Sequence, residues 1–174
     1  VQSATLKEFP TLREHKTWIA FFKAAPGQAP ALLHQESIVY KGAKSKIKLS
    51  KALPCPDFVY PNYQDQDYVQ VSLDPKSYAF LADNMAQFKG SSDFDLLRNS
   101  LWQNIWDDAN NARISMDQYL KLFFAALPYE SEATTLETSL YNLDQVLWWT
   151  PQQLVESRTA SIEKFLRSEI EKSV

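Results

Sequence analysis

Glycine is scarce in this chain, with 3 residues among 174. That leaves no room for a glycine-rich phosphate loop, and no G-x-S-x-G nucleophile elbow occurs. The single cysteine, Cys55, excludes an internal disulfide framework and a cysteine zinc cluster. There are 2 histidines and no HExxH helix. No apolar run approaches the roughly 20 residues that a membrane helix needs. No charged-then-apolar signal segment opens the chain. The first residue is Val1 rather than an initiator Met, so a processed chain or a piece of something longer is expected.

What is present reads as globular. The chain is 45% hydrophobic and 22% charged, enough to bury a core. Its length suits one domain or two small ones. Lys and Arg number 18 against 21 Asp and Glu, a net charge of −3 that argues against nucleic acid as an obligatory partner. The charge is uneven. Residues 1–74 hold 9 basic and 7 acidic residues, whereas residues 75–174 hold 9 and 14.

The residue pattern changes at the same place. Glu14 to Lys23 is β-branched and aromatic, with Trp18, Ala20 and Phe22 on one face and Thr17, Ile19 and Phe21 on the other. Leu33 to Lys41 reads as a second strand. Ala43 to Leu49 alternates, with Lys44, Lys46 and Lys48 opposite Ser45, Ile47 and Leu49, and predicts a strand paired through a hairpin at Gly42. Phe58 to Tyr60 is a short strand stopped by Pro61-Asn62. Asp67 to Leu73 alternates again. From Asp74 the period becomes helical. Asp74 is an N-cap with Pro75 at the first position, and that helix runs to about Phe88 with Lys89-Gly90 as its stop.

Ser92 or Asp93 caps a second helix carrying Phe94, Leu97, Leu101, Trp102 and Ile105. Ser115 to Gln118 fits a capping box for a third, which ends at Pro128. Ser131 opens a fourth, with Leu136, Leu140, Leu143 and Leu147 on one side. Thr150 to Gln153 fits a second capping box, ahead of a last helix with Leu154, Ile162, Phe165, Leu166 and Ile170. About five strands followed by five helices predict an α+β fold. The expected architecture is a small antiparallel β-sandwich over 1–74, then antiparallel helix hairpins over 75–174 arranged as a truncated α-solenoid. A sandwich of that size is marginal alone, so it is expected to pack on the first helices.

Few residues offer chemistry. His15 and His34 lie 19 positions apart on different expected strands, which fits two strand histidines better than a zinc site. Cys55 sits between prolines, with no base adjacent in sequence to activate it. Carboxylates pair at Asp65 and Asp67, at Asp93 and Asp95, and at Asp107-Asp108. The first pair reads as loop, the second as helix-start charge and the third as a helix end, so none is assigned catalysis. Trp102, Trp106, Trp148 and Trp149 fall on expected helices. Trp102 reads as core, and one of the adjacent pair Trp148-Trp149 as less buried. No basic stripe is interleaved with aromatics for nucleic-acid stacking. No catalytic, cofactor or metal residue is assigned. A binding, scaffolding or domain role fits the residues better than an enzyme.

Two stretches carry a resemblance. One runs from Tyr60-Pro61-Asn62 through Asp67-Tyr68 to Leu73-Asp74. The other runs from Leu101-Trp102 through Asp107-Asp108 and Ser115 to Leu127-Pro128 and Glu130-Ser131-Glu132. As a set, covering about Leu12 to Lys164, they resemble the region after the catalytic domain in zinc aminopeptidases of the aminopeptidase N family. Asp67 stands where many members have Gly, and Gln70 where many have a cation. The resemblance implies a non-catalytic C-terminal region of an enzyme that removes N-terminal residues from peptides. It contributes architecture and substrate access. Zinc is expected in the parent's catalytic domain, upstream, and no metal ligand carries over to this chain. The implied partners are that catalytic domain and the parent's peptide substrate. Truncation of a helix array further predicts an apolar patch around Leu136, Leu140, Leu147 or Trp148 and Ile162 or Phe165, with self-association through it. The alternative is a free-standing protein-interaction module.

Overall fold

β1 (His15–Lys23), with apolar side chains on both faces, is the central strand of the sheet. In the computed structural model, which describes residues 7–89 and 92–172, β1 is flanked by β2 (Ala31–Tyr40) and β3 (Phe58–Tyr63) in the order β2-β1-β3. Both pairings are antiparallel. Cross-strand partners share a face. Ala20 and Phe22 therefore lie with Tyr60 and Phe58 on the inner face, and Phe21 lies with His34 and Val59 on the outer one.

Five helices follow: α1 (Pro75–Asn84), α2 (Ser92–Asn110), α3 (Met116–Ala126), α4 (Ala133–Trp148) and α5 (Val155–Lys172). The fold is α+β. One continuous core joins the inner sheet face to the helices, running from Ala20, Phe22, Phe58, Tyr60 and Tyr63 through Leu81, Leu97, Ile105 and Phe123 to Ile162. The sheet thus packs on the first helices, as its small size demands. Phe22 is its aromatic hub, stacked on Phe58 and edge-on to Tyr63 and Phe88. Burying such a side chain fully is worth roughly 1.5–3 kcal/mol.

Three strands form among the described residues, not five, and they make one sheet. Residues 43–49 have no ladder partner despite their alternation. Gly42 does turn the chain, with φ +78°, but no hairpin follows. Residues 67–73 have no strand neighbour and begin with a tight turn, the Val69 N–H donating to the Asp67 carbonyl at 3.0 Å. Their backbone is held instead by α2, where the Val71 N–H donates to Asn104 Oδ1 at 3.2 Å and the Leu73 N–H to Asp108 Oδ2 at 3.2 Å. Side-chain acceptors have replaced a strand. Conversely, β3 passes through Pro61-Asn62. Proline is tolerated because β3 is an edge strand, and Asn62 is the extra residue of a bulge opposite Trp18 and Ile19.

Asp74 and Ser115 cap the helices expected of them, and the other three helices start differently. Asp74 Oδ1 accepts from the Lys76 and Ser77 N–H groups, with Pro75 in the first turn. α1 ends at Asn84 and a 3-10 turn over Met85–Gln87 completes the run to Phe88. The Gly90 part of the expected stop lies outside the described residues. Ser92 and Asp93 are the first residues of α2 rather than its cap. Ser115 caps α3, accepting from the Gln118 N–H at 3.1 Å. Glu132, not Ser131, caps α4 by accepting from the Thr135 N–H at 2.7 Å. Thr150 is not a cap. Its hydroxyl donates to the Val146 carbonyl and accepts from Arg158, and a 3-10 turn over Gln152–Leu154 leads into α5.

Candidate functional site

Polar side chains gather at three places, each joining elements distant in sequence. The first is the turn after β3. Asn62, Gln64 and Asp65 all take left-handed backbone angles, with φ of 62°, 65° and 49°. Side chains other than glycine seldom do so, and asparagine is among the more tolerant. Asn62 is buried with its hydrogen-bonding capacity filled. Its Oδ1 accepts from Thr17 Oγ1 at 2.9 Å and from the Asp67 N–H at 2.8 Å. Its Nδ2 donates to Asp65 Oδ1 and to the Asp67 carbonyl. Four bonds saturate an asparagine side chain and hold the turn against its strain. At the same end of the sheet His15 Nδ1 lies 2.9 Å from Asp67 Oδ2, and the Tyr40 hydroxyl donates to that oxygen at 3.4 Å. The Tyr40 ring stacks on His15. Burial, and then the Asp67 charge, push the Tyr40 hydroxyl above its ordinary ionisation range.

The second centre is Asp108, which has 0% exposure at the sheet–helix junction. Its Oδ2 accepts from Ser72 Oγ at 2.8 Å, from the Leu73 N–H at 3.2 Å and from the Tyr78 hydroxyl at 2.5 Å. Arg113 donates to Oδ1 at 3.1 Å and supplies the counter-charge from the surface. One turn earlier on α2, Asn104 Nδ2 donates to the Tyr60 hydroxyl at 2.6 Å. Burial raises the ionisation of Tyr78, and its hydrogen bond to Asp108 raises it further. Burial, followed by the Asp65 charge, does the same to Tyr60.

The third is the buried pair Arg98–Glu130, a bidentate fork with Nε–Oε2 at 3.0 Å and Nη2–Oε1 at 2.9 Å. Arg98 also donates to the Phe88 carbonyl and to Asp95. Glu130 Oε1 further accepts from the Ser131 and Glu132 N–H groups. The pair ties the end of α1, the start of α2 and the entry to α4 together. Burial works against the Glu130 charge, but the Arg98 bonds and charge together with the Glu132 and Ser131 N–H groups outweigh it and hold the carboxyl below its usual range.

Other sequence candidates are dispersed. His15 pairs with Tyr40 and His34 with Phe21, so the two histidines stand six residues apart along β1, roughly 20 Å at strand rise. Each has its own carboxylate, Asp67 for His15 and Glu36 for His34. Among the described residues no group of three His, Cys, Asp or Glu side chains is placed to hold a metal ion. Cys55 is exposed, with its thiol near the Pro56 carbonyl. Asp93 and Asp95 lie in the first turn of α2, where negative charge suits the helix. Asp107 contributes its carbonyl to the Asn111 side chain, so only Asp108 of that pair reaches the buried centre.

Trp102 is core, edge-on to Phe123. Trp106 stacks on Trp149 at 5.6 Å, leaving Trp148 the more exposed of the adjacent pair at 77%. The buried side of α4 carries Thr135, Ser139, Asn142, Leu143 and Val146, which turns Leu140 and Tyr141 outward. Ile162 is buried, and Phe165 packs on Phe124, so neither belongs to an exposed patch.

The His15–Asp67 pair has the form of an oriented imidazole, but no described nucleophile bonds its other nitrogen, and the nearby Thr17 hydroxyl is committed to Asn62. All three centres bond backbone and side chains of the chain itself. Their chemistry is that of locks between elements. The buried Arg98–Glu130 pair left no trace in the sequence pattern, being 32 positions apart. No protein-family model matches the chain, and no curated protein matches it in sequence.

Proposed function

We propose that this chain is a non-catalytic C-terminal region of a zinc aminopeptidase of the aminopeptidase N family, an enzyme that removes N-terminal residues from peptides. Its part is architecture and control of substrate access. One observation carries this reading. The two stretches that bear the resemblance, 60–74 and 101–132, are the ones the buried polar groups tie together, through Asn104 to Tyr60 and Val71 and through Asp108 to Ser72 and Leu73. A motif divided between two separated stretches has a physical reason when each holds the other. The zinc of such an enzyme would belong to its catalytic domain; among the described residues here no three His, Cys, Asp or Glu side chains are placed to hold a metal ion.

The test is the reading frame upstream of Val1, followed by assay. HExxH with a downstream Glu, chelator-sensitive hydrolysis of an aminoacyl anilide by the whole protein, and none by this chain alone are the expected results. A start codon directly before Val1, with no HExxH, would sink the reading. A free-standing interaction module is then the alternative. The outward Tyr141 and Trp148 on α4 favour it, because large aromatics exposed on one helix face suit a protein contact. The same face is where self-association would occur.

A further inference from the structure

We propose that the segment between β2 and β3 is a docking surface for an anionic phospholipid bilayer, independent of the aminopeptidase reading. Residues 41–51 contain Lys41, Lys44, Lys46, Lys48 and Lys51 and no acidic residue. All five lysines are exposed, and none forms an ion pair among the described residues. The chain's net charge is −3, so the rest of it carries −8 against +5 on this segment.

The fold keeps those charges apart. The Ser50 N–H donates to Glu36 Oε2 at 3.1 Å, and Ser50 Oγ lies 3.4 Å from His34 Nε2. Glu36 and His34 are partners of Ile19 and Phe21, on the sheet face away from the helical core. The lysine segment is thus tied to the outer face of the sheet, while the acidic helical half packs on the inner one. An approaching negative surface meets the lysines first, and the acidic side is separated from it by the thickness of the sheet. At 0.1 M ionic strength charges are screened beyond about 10 Å, so the near side dominates.

The residue types select the partner. Lysine is a flexible point charge without the planar fork that arginine offers to a single carboxylate or phosphate, so five lysines suit a diffuse anionic surface. Ile47 stands exposed between Lys46 and Lys48, an apolar side chain available to the headgroup boundary. No aromatic residue lies within 41–51 to stack on nucleic-acid bases.

The experiment is co-sedimentation of the full chain with phosphatidylcholine vesicles, neutral or containing about a third phosphatidylglycerol. Binding is expected to the anionic vesicles only, and to vanish at high salt. Replacing Lys44, Lys46 and Lys48 by Gln should weaken it about a hundredfold, and replacing them by Arg should retain it. Ile47→Ser should weaken it several-fold without changing the salt slope. An unchanged melting transition verifies that the exposed substitutions leave the fold intact. Absence of binding at low salt, equal binding to neutral vesicles, or full binding by the Gln variant overturns the proposal. Capture by polyglutamate without vesicle binding also overturns it and assigns the lysines to an acidic protein.

Discussion

Replacing Asp108 should cost more stability than any other single carboxylate on α2. The side chain is fully buried and receives four donors: Ser72 Oγ, the Leu73 N–H, the Tyr78 hydroxyl and Arg113. Asp108→Asn keeps the shape but not the charge. Its oxygen can take the place of Oδ2 and keep three donors, which leaves its amide facing Arg113. Bonds to a charged acceptor contribute about 1.5–3 kcal/mol and neutral ones about 1, so the expected loss is about 2–3 kcal/mol. Asp108→Ala strands the buried Tyr78 hydroxyl and the Leu73 N–H, at about 1–3 kcal/mol for each unsatisfied group. A loss of about 4 kcal/mol follows. Urea unfolding followed by circular dichroism measures both. Tyr78→Phe completes a double-mutant cycle with Asp108→Ala, where a coupling above about 0.5 kcal/mol is expected for groups in direct contact. An Asp108→Asn loss below about 0.5 kcal/mol, or additivity in the cycle, would refute the view that this carboxylate locks residues 72–78 to α2.

Three further outcomes are expected. Burial raises the hydroxyls of Tyr60, Tyr78 and Tyr119 above the ordinary value of 10.0, so the native state keeps protons that the unfolded chain releases. Stability is then fully present below pH 10 and falls above it, by about 1.4 kcal/mol per pH unit for each tyrosine; alkaline unfolding monitored by tyrosinate absorbance should be steep, and a flat profile would contradict their burial. Glu130 is held below its usual value of 4.5, so its contribution is present above that value and is lost as the pH falls through the depressed one. Glu130→Gln removes the buried counter-charge of Arg98 and leaves it only the more exposed Asp95, and should cost about 3 kcal/mol at neutral pH, with a flatter acid limb in the denaturation profile. The Tyr119 hydroxyl is buried without a partner among the described residues, so Tyr119→Phe should be neutral or stabilise by about 1 kcal/mol in thermal melts; a clear loss would reveal a partner for it.

The parts legible in the sequence are those fixed locally. Asp74-Pro75 and Ser115 set their helix starts because a cap satisfies N–H groups two or three residues away. β1 reads correctly because a run of β-branched and aromatic residues suits a strand. The segments 43–49 and 67–73 alternate just as well, but alternation states only that a segment could lie half-buried on a sheet. Pairing needs a free edge within reach, and for Val71 and Leu73 the side chains of Asn104 and Asp108 are there instead. The Thr150 capping box loses to Arg158 and to the Val146 carbonyl, neither of which a four-residue pattern contains. On α4 the leucine stripe holds for Leu143, which is buried, and for Leu136 and Leu147, which pack against the core, but Leu140 turns out while the small residues Thr135 and Ser139 are buried. Hydrophobic periodicity locates a helix well and its rotation less well, because close approach of two helices rewards small side chains as much as large ones. The site fares similarly. Asp107-Asp108 is visible as a pair, but which member is buried depends on the packing of α2 against residues 72–78.

The buried polar centres explain why a three-stranded sheet persists at all. A sheet of this size has two faces to cover and little core of its own. Its inner face is covered by helices that come later in the chain, and the connecting residues 64–74 contribute few apolar anchors, chiefly Val69, Val71 and Leu73. Apolar contact alone would let that connection slide, since hydrophobic burial is non-directional. Asn62 fixes its start, Asn104 its middle and Asp108 its end, each by hydrogen bonds with one geometry. Arg98–Glu130 then fixes the helices to one another. The sheet and the helix stack are thereby held as one body in a defined orientation. The proposed control of substrate access would need that property, because a helical array that pivoted freely on its sheet could not keep an entrance at constant width.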